Sequence, residues 1–383
     1  MPLSAAKVFK PRPLDGWALQ IAVNLDTVSP NFLSFLFCTS GLRRQAIFAA
    51  LATLTREKPE TLAACLCPLA PADCNSCRNP YEQIARALMV TSRAREIIRA
   101  AFGQVSDGLL GVLRRLGDAP LSEPALYWML YETFANPEHR VRARALIQRS
   151  GPIHAKHIEI VHRLDPTLVH PHILDRIRCP SQVDSVNAAL TLIRGVVSAA
   201  TDQAIRQSVE SLGDNTDLAA FFNRWLQKMD RPPARPPIPE HDPDVVVLTS
   251  GEAMAALGRR LRNCSATRII YSAQGSEVLI EWKHPPGLVA QCHYLTNGDW
   301  VLTEIHARGN GSVEPAAAAA FRRKLQTLGI PALSPGDTYP DTYGVRNLLG
   351  AWGGMGNNLG FDDEVESGLA DLVREFVEIE EAA

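Results

Sequence analysis

The sequence predicts an α+β protein: an all-α helical bundle or repeat-like N-terminal region, followed by a small α+β module built on an antiparallel β-meander. Three observations predict it. Apolar residues recur at helical spacing as far as Lys228. Six prolines then crowd into 230–244, at positions 232, 233, 236, 237, 239 and 243, a density that no helix sustains. Beyond them come β-branched runs of strand length, separated by turn signals. The expected organisation is therefore a helical domain over 1–229, a semi-rigid linker over 230–244 and an α+β module over 245–383.

Within the helical part, periodicity predicts helices over 43–56, 81–90, 93–102 and 109–116. Leu121-Ser122-Glu123-Pro124 opens another, with Ser122 as cap and Pro124 in the first turn, where a missing N–H costs nothing. Trp128, Met129, Leu130 and Phe134 pack from it. Helices over 183–197 and 203–212 follow. The clearest stripe is Leu218, Phe221, Phe222, Trp225, Leu226 and Met229, with Thr216 or Asp214 as cap. No self-similar period names a repeat family. Short helices joined by short turns suit either a scaffold for a protein partner or a plain packed bundle.

In the second part, 245–248 reads as a short strand. Thr249 and Glu252 form a T-x-x-E capping box. The helix they open carries Met254, Leu257 and Leu261 on one face, and Cys264 continues that stripe. Strands are expected over 268–271, 277–282, 288–295 and 300–306, the last two joined through Asn297-Gly298, a strong hairpin signal. A helix starts near Ser312, with Pro315 in its first turn and Gly329 at its end. A Gly/Asn-rich loop at 353–358 and an acidic helix with Leu369, Leu372, Val373 and Phe376 close the chain.

Composition narrows the function classes. The 383 residues are 46% hydrophobic and 21% charged, with a net charge of −2. The whole chain is thus no polycation, and any nucleic-acid role falls to a local patch. Residues 1–13 lack the apolar core of a signal peptide. The most apolar stretch, near 46–54, is far too short to span a bilayer. Eight cysteines without a secretion signal suit a reducing compartment, so a cytoplasmic protein is expected, without membrane contact. P-loop, G-x-S-x-G and dinucleotide fingerprints are absent.

Three constellations carry chemistry. Cys65, Cys67, Cys74 and Cys77 form C-x-C-x6-C-x2-C, which suits either one structural zinc held by four thiolates or reduced structural cysteines. An iron–sulfur cluster on the same four thiolates is a further alternative. His154, His157 and His162, then His170 and His172, lack the carboxylate spacing of a metal site and read as surface or interface residues. The third lies on the hairpin. A two-residue Asn297-Gly298 turn pairs His293 with Leu302, Gln291 with Glu304 and Val289 with His306. Alternation then points Gln291, His293, Glu304 and His306 to one face, with Arg308 and Asn310 just beyond. Ala290, Cys292, Tyr294, Val301 and Ile305 form the more apolar, core-forming face. Arg259, Arg260, Arg262, Arg268, Arg308, Arg322, Arg323 and Lys324 make a basic group that reads as a phosphate patch or as ordinary exposed charge.

Leu261-Arg262-Asn263-Cys264, Tyr271, Gly275, the strand around Ala290–Tyr294, Glu304 and Gly309-Asn310 together resemble the PcfJ-like domain of plasmids and other mobile elements. The likeness covers about 250–312. It departs from the family pattern at Gln291, where an acidic residue is expected, and at Glu304, where glutamine is expected. It implies a mobile-element or conjugation context and no mechanism. The resulting expectation is an accessory binding protein. Its helical region would bind a protein partner, and its C-terminal module would bind nucleic acid or another ligand through Gln291, Arg308 and Asn310. The rival is a cysteine-dependent hydrolase or transferase with Cys264 as nucleophile, His293 or His306 as base, and Glu304 in support.

Overall fold

The computed structural model describes residues 11–12, 14–70, 77–213, 216–311 and 313–332. It is an α+β chain with one four-stranded antiparallel sheet in its C-terminal part. The Gly/Asn-rich loop at 353–358, the acidic helix after it, Asp214, Ser312 and Cys74 lie outside the described residues. Among the described residues, no helix is long and apolar enough to cross a membrane. Contacts group the described residues into two compact units: those up to 235 with 249–260 and 264–275, and 236–248 with 261–263 and those from 276 to 332.

Among the described residues, the first unit contains helices and no strand. Its innermost element is Gly41–Thr53, in which every residue from Arg44 to Thr53 is buried. A helix apolar on all sides must lie inside its neighbours. The expected helices appear as Pro80–Val90, Ala94–Phe102, Leu109–Arg114, Ala125–Ala135, Gln182–Val196, Asp202–Glu210 and Leu218–Leu226. Gly16–Val28, Phe32–Cys38, Pro59–Leu66, Arg140–Gln148, Ala155–Arg163 and Pro171–Arg176 join them. Several expected caps shift by a few residues. The cap before Leu218 is Asp217, whose carboxylate accepts from Ala220 N–H at 2.6 Å. Ala125 opens its helix directly after Pro124, and Ser122 makes no cap bond.

Two polar devices hold this unit. Buried Gln45 donates from Nε2 to the carbonyls of Gly117 (2.9 Å) and Ala119 (2.7 Å) and accepts from the Tyr127 hydroxyl at 2.7 Å. Burial pushes the Tyr127 pKa up, which keeps that hydroxyl a donor. The second device recurs. Helix C-termini leave carbonyls without partners, and arginines from neighbouring elements bond them. Arg43 takes Leu88, Met89 and Thr91 at the end of Pro80–Val90. Arg44 takes Leu36 and Thr39 after Phe32–Cys38. Arg115 takes Leu146, Ile147, Arg149 and Gly151 after Arg140–Gln148. Arg142 takes Val161 and Leu164 after Ala155–Arg163. A guanidinium offers five donors in a fixed fork and also opposes the negative end of the helix dipole. These cations are therefore committed to the fold.

The histidine group is also structural. His157 is 2% exposed, so it is not a surface residue as the spacing suggested. His154 precedes the helix Ala155–Arg163, and its N–H donates to His157 Nδ1 at 2.9 Å. His170 does similar work, accepting from His172 N–H at 3.3 Å ahead of Pro171–Arg176.

Past the prolines, Ser250 rather than Thr249 caps the helix Gly251–Leu261, accepting from Ala253 N–H at 3.1 Å. That helix ends before Cys264. Arg262 takes a left-handed backbone (φ 51°), and Cys264 begins the short 3-10 turn Cys264–Arg268, exposed instead of continuing the apolar stripe. The expected strand at 268–271 is the helix Ile269–Ala273. Its buried residues are Ile269, Ser272 and Ala273, the i, i+3, i+4 pattern of a helix face.

The second unit is the sheet β1 (Val245–Val247), β2 (Glu277–Trp282), β3 (Leu288–Tyr294) and β4 (Trp300–His306), in that spatial order, with the helix Pro315–Thr327. Phe321 of the helix packs on Trp282 with ring centroids 5.0 Å apart. The helix closes in a Schellman turn. Gly329 adopts φ 82°, and Ile330 N–H returns to Leu325 O at 2.9 Å. The end of the proline segment is anchored here. Asp242, 5% exposed, accepts from Asp244 N–H, Val245 N–H and Lys324 Nζ.

Candidate polar site on the sheet

The hairpin builds the site through two irregularities that cancel. Leu295 N–H bonds Asp299 O at 2.8 Å, so the turn holds three residues, Thr296, Asn297 and Gly298, with Gly298 at φ 94°. This is the three-residue alternative to the two-residue Asn-Gly turn. It slips the register by one, and Tyr294 pairs Trp300, His293 pairs Val301 and Cys292 pairs Leu302. A bulge between Gln291 and Cys292, which leaves Thr303 as the extra residue on β4, restores the count. Gln291 then faces Glu304 and Val289 faces His306, as the sequence predicts. His293 does not face Leu302.

On the other side, β2 pairs β3 so that Glu277 lies opposite His293 and Leu279 opposite Gln291. Glu277, His293, Gln291, Glu304 and His306 thus share one face. That face is not simply the solvated one: Glu277, Leu279, Val289 and Gln291 are all buried, as are Val278, Ile280, Ala290 and Cys292 on the other.

Gln291 is the centre of the cluster. Its Nε2 lies 3.1 Å from Glu277 Oε2 and 3.1 Å from His293 Nε2, and its Oε1 lies 3.4 Å from His306 Nε2. An ionised carboxylate only accepts, which fixes the amide with its NH2 toward Glu277. His293 Nε2 then accepts the second N–H, and His306 Nε2–H donates to Gln291 Oε1 and to Glu304 Oε2, 3.1 Å away. Glu277 Oε2 also stands 3.6 Å from His293 Nε2. Exposure grades outward: the side chains of Glu277, His306, His293 and Glu304 are 1%, 22%, 39% and 62% exposed. A buried carboxylate and amide thus hold two part-exposed imidazoles, each beside a carboxylate. Burial, with the Glu277 charge adding to it, pushes the neighbouring Cys292 thiol to about 12, so that sulfur is no nucleophile at neutral pH.

Arg308 and Asn310 lie in the turn Arg308–Asn310 at the His306 end of β4, both exposed. Arg308 makes no side-chain hydrogen bond or ion pair among the described residues. Lys324 leaves the expected basic group. It bridges Asp242 and Asp244 at 2.8 Å each, and those bonds raise its pKa while the same ammonium helps hold both carboxylates low. Cys264 belongs to the first unit, whereas His293, Glu304 and His306 belong to the second. Cys65 is exposed near the end of Pro59–Leu66, Cys67 opens a 3-10 turn, and Cys77 is half-buried. Among the described residues, no three His, Cys, Asp or Glu side chains gather as a metal ion requires.

Sequence reading missed Glu277. The signal was there: the turn at 283–287 sets Trp282 opposite Leu288, and counting back five residues places Glu277 opposite His293.

Comparison with family models, with curated proteins and with solved structures finds no match to this chain. The likeness of 250–312 to the PcfJ-like domain rests on the residues quoted for it alone.

Proposed function

We propose that the chain is an accessory binding protein whose second unit engages a phosphate-bearing ligand, nucleic acid first, across the face carrying His293, Gln291, Glu304 and His306. Arg308 and Asn310 form its rim. What supports this reading is the brace around Gln291. A binding face needs donors whose orientation is fixed before the ligand arrives, because ordering them on binding subtracts from affinity. Gln291, held by Glu277, fixes two imidazole edges in place while leaving both partly accessible. Imidazole N–H and guanidinium are both phosphate donors, and Arg308 has no competing acceptor among the described residues. The helical first unit, with its capped helix ends, serves a protein partner.

The test is fluorescence anisotropy of a labelled single-stranded oligonucleotide with the full chain, over a series of salt concentrations. Arg308→Ala should weaken binding and flatten the salt slope by about one counterion. An oligonucleotide that binds the Arg308→Ala and His293→Ala/His306→Ala variants as tightly as it binds the wild-type chain would place the contact elsewhere.

A further inference from the structure

The first unit holds a cavity of about 470 Å³ between the end of the helix Leu218–Leu226 and the helix Gly251–Leu261. Gly251 makes this closeness attainable. Its N–H donates to Met229 O at 2.9 Å, and a Cβ built on it would lie 2.7 Å from the carbonyl oxygens of Leu226 and Gln227. Those are backbone atoms that cannot swing aside, so only glycine lets the two segments meet here.

Three cations line the cavity: Arg224, Lys228 and Arg259. Arg224 stands in the last turn of Leu218–Leu226, Lys228 in the turn just after it, and Arg259 comes from the other helix. Unlike the arginines that cap helix ends, Arg224 and Arg259 bond no carbonyl and pair with no carboxylate among the described residues. Among the described residues, Lys228 rests only over the Trp225 ring, 4.6 Å from its centroid. Two carboxylates also line the space. Asp230 is already engaged, accepting from Ser198 N–H at 2.8 Å and from the Ser198 hydroxyl, which hold its pKa low. Glu252 is the remaining anion.

We propose that this cavity is an anion site for a phosphate group, with Arg224, Lys228 and Arg259 as its ligands. Two guanidiniums converging from two helices supply the paired, planar donors that phosphate oxygens accept. The space admits a diphosphate, and it is open enough for a nucleic-acid backbone. Glu252 at the rim sets the selectivity, weakening the site for the most highly charged anions. None of the residues of the sheet site lines this cavity, so the two assignments stand or fall separately.

Isothermal titration of the full chain with inorganic pyrophosphate, a nucleoside triphosphate and a single-stranded oligonucleotide tests the site and separates its sources. Pyrophosphate binding is expected at low salt. Arg224→Gln/Arg259→Gln should weaken it at least about tenfold, since each charged hydrogen bond lost is worth that much. Glu252→Gln should tighten it. All three side chains are exposed, so unchanged thermal unfolding is expected for these variants and serves as the folding control. A loss of affinity in the double variant that is larger for the oligonucleotide than for the triphosphate identifies a nucleic-acid backbone, and the reverse identifies a small phosphate ligand. Absence of pyrophosphate binding to the wild-type chain, or binding unchanged in the double variant, overturns the proposal.

Discussion

Gln291 Nε2 donates to Glu277 Oε2 across 3.1 Å, a neutral amide bonded to a carboxylate with both side chains buried in the sheet. A hydrogen bond to a charged group contributes more than a neutral one. Gln291→Ala should therefore cost about 1.5–3 kcal/mol in urea unfolding. Gln291→Glu makes a sharper case. It sets a second carboxylate against Glu277, so one of the two must take up a proton in the folded state. Its folded pKa then rises above the unfolded value, and stability should improve as pH falls from 7 to 5. A Gln291→Glu chain as stable as wild type at pH 7 would mean that the pair is not held as described.

His157 gives the opposite dependence. Burial, with the charges of Arg149, Lys156 and His154 adding to it, lowers its pKa to about 4, against 6.5 unperturbed. The unfolded chain thus binds the extra proton over that window, and stability is lost as pH falls from 6.5 to 4. The loss should reach roughly 2–3 kcal/mol, with nothing further from this group below pH 4. His157→Asn keeps an acceptor for the His154 N–H and should flatten this part of the pH–stability curve. An unchanged slope would assign the acid sensitivity to other groups.

The arginine caps predict local effects. Arg115→Met keeps much of the side chain's bulk but removes every donor to Leu146, Ile147, Arg149 and Gly151. The carbonyls of a helix end lose their partners, at a cost of about 2 kcal/mol. Hydrogen exchange should quicken in Arg140–Gln148 and leave Gly41–Thr53 protected. Uniform quickening through both helices would show that Arg115 supports the whole unit instead.

What was legible in the sequence follows from which interactions are local. Helices such as Pro80–Val90 and Leu218–Leu226 announce themselves through apolar spacing, which is a property of the segment itself. The pairing of Gln291 with Glu304 was also readable, though only because the longer turn at Thr296-Asn297-Gly298 and the bulge at Thr303 offset each other. The segment Ile269–Ala273 misled because Ile269, Ile270 and Tyr271 have strand propensity, which tertiary packing overrides. The caps by Arg43, Arg115 and Arg142 span some 20 to 50 residues and leave no local mark. Nor does the burial of Glu277 and His157, which depends on what covers them.

In the proposed function, the imidazoles of His293 and His306 meet a phosphate-bearing ligand. Selective ¹⁵N labelling of histidine gives ten imidazoles to follow by NMR in the full chain. On titration with a single-stranded oligonucleotide at pH 6.5, the His293 and His306 resonances should shift together and saturate, while buried His157 stays fixed. Saturable binding that leaves both of these resonances unmoved would contradict the account.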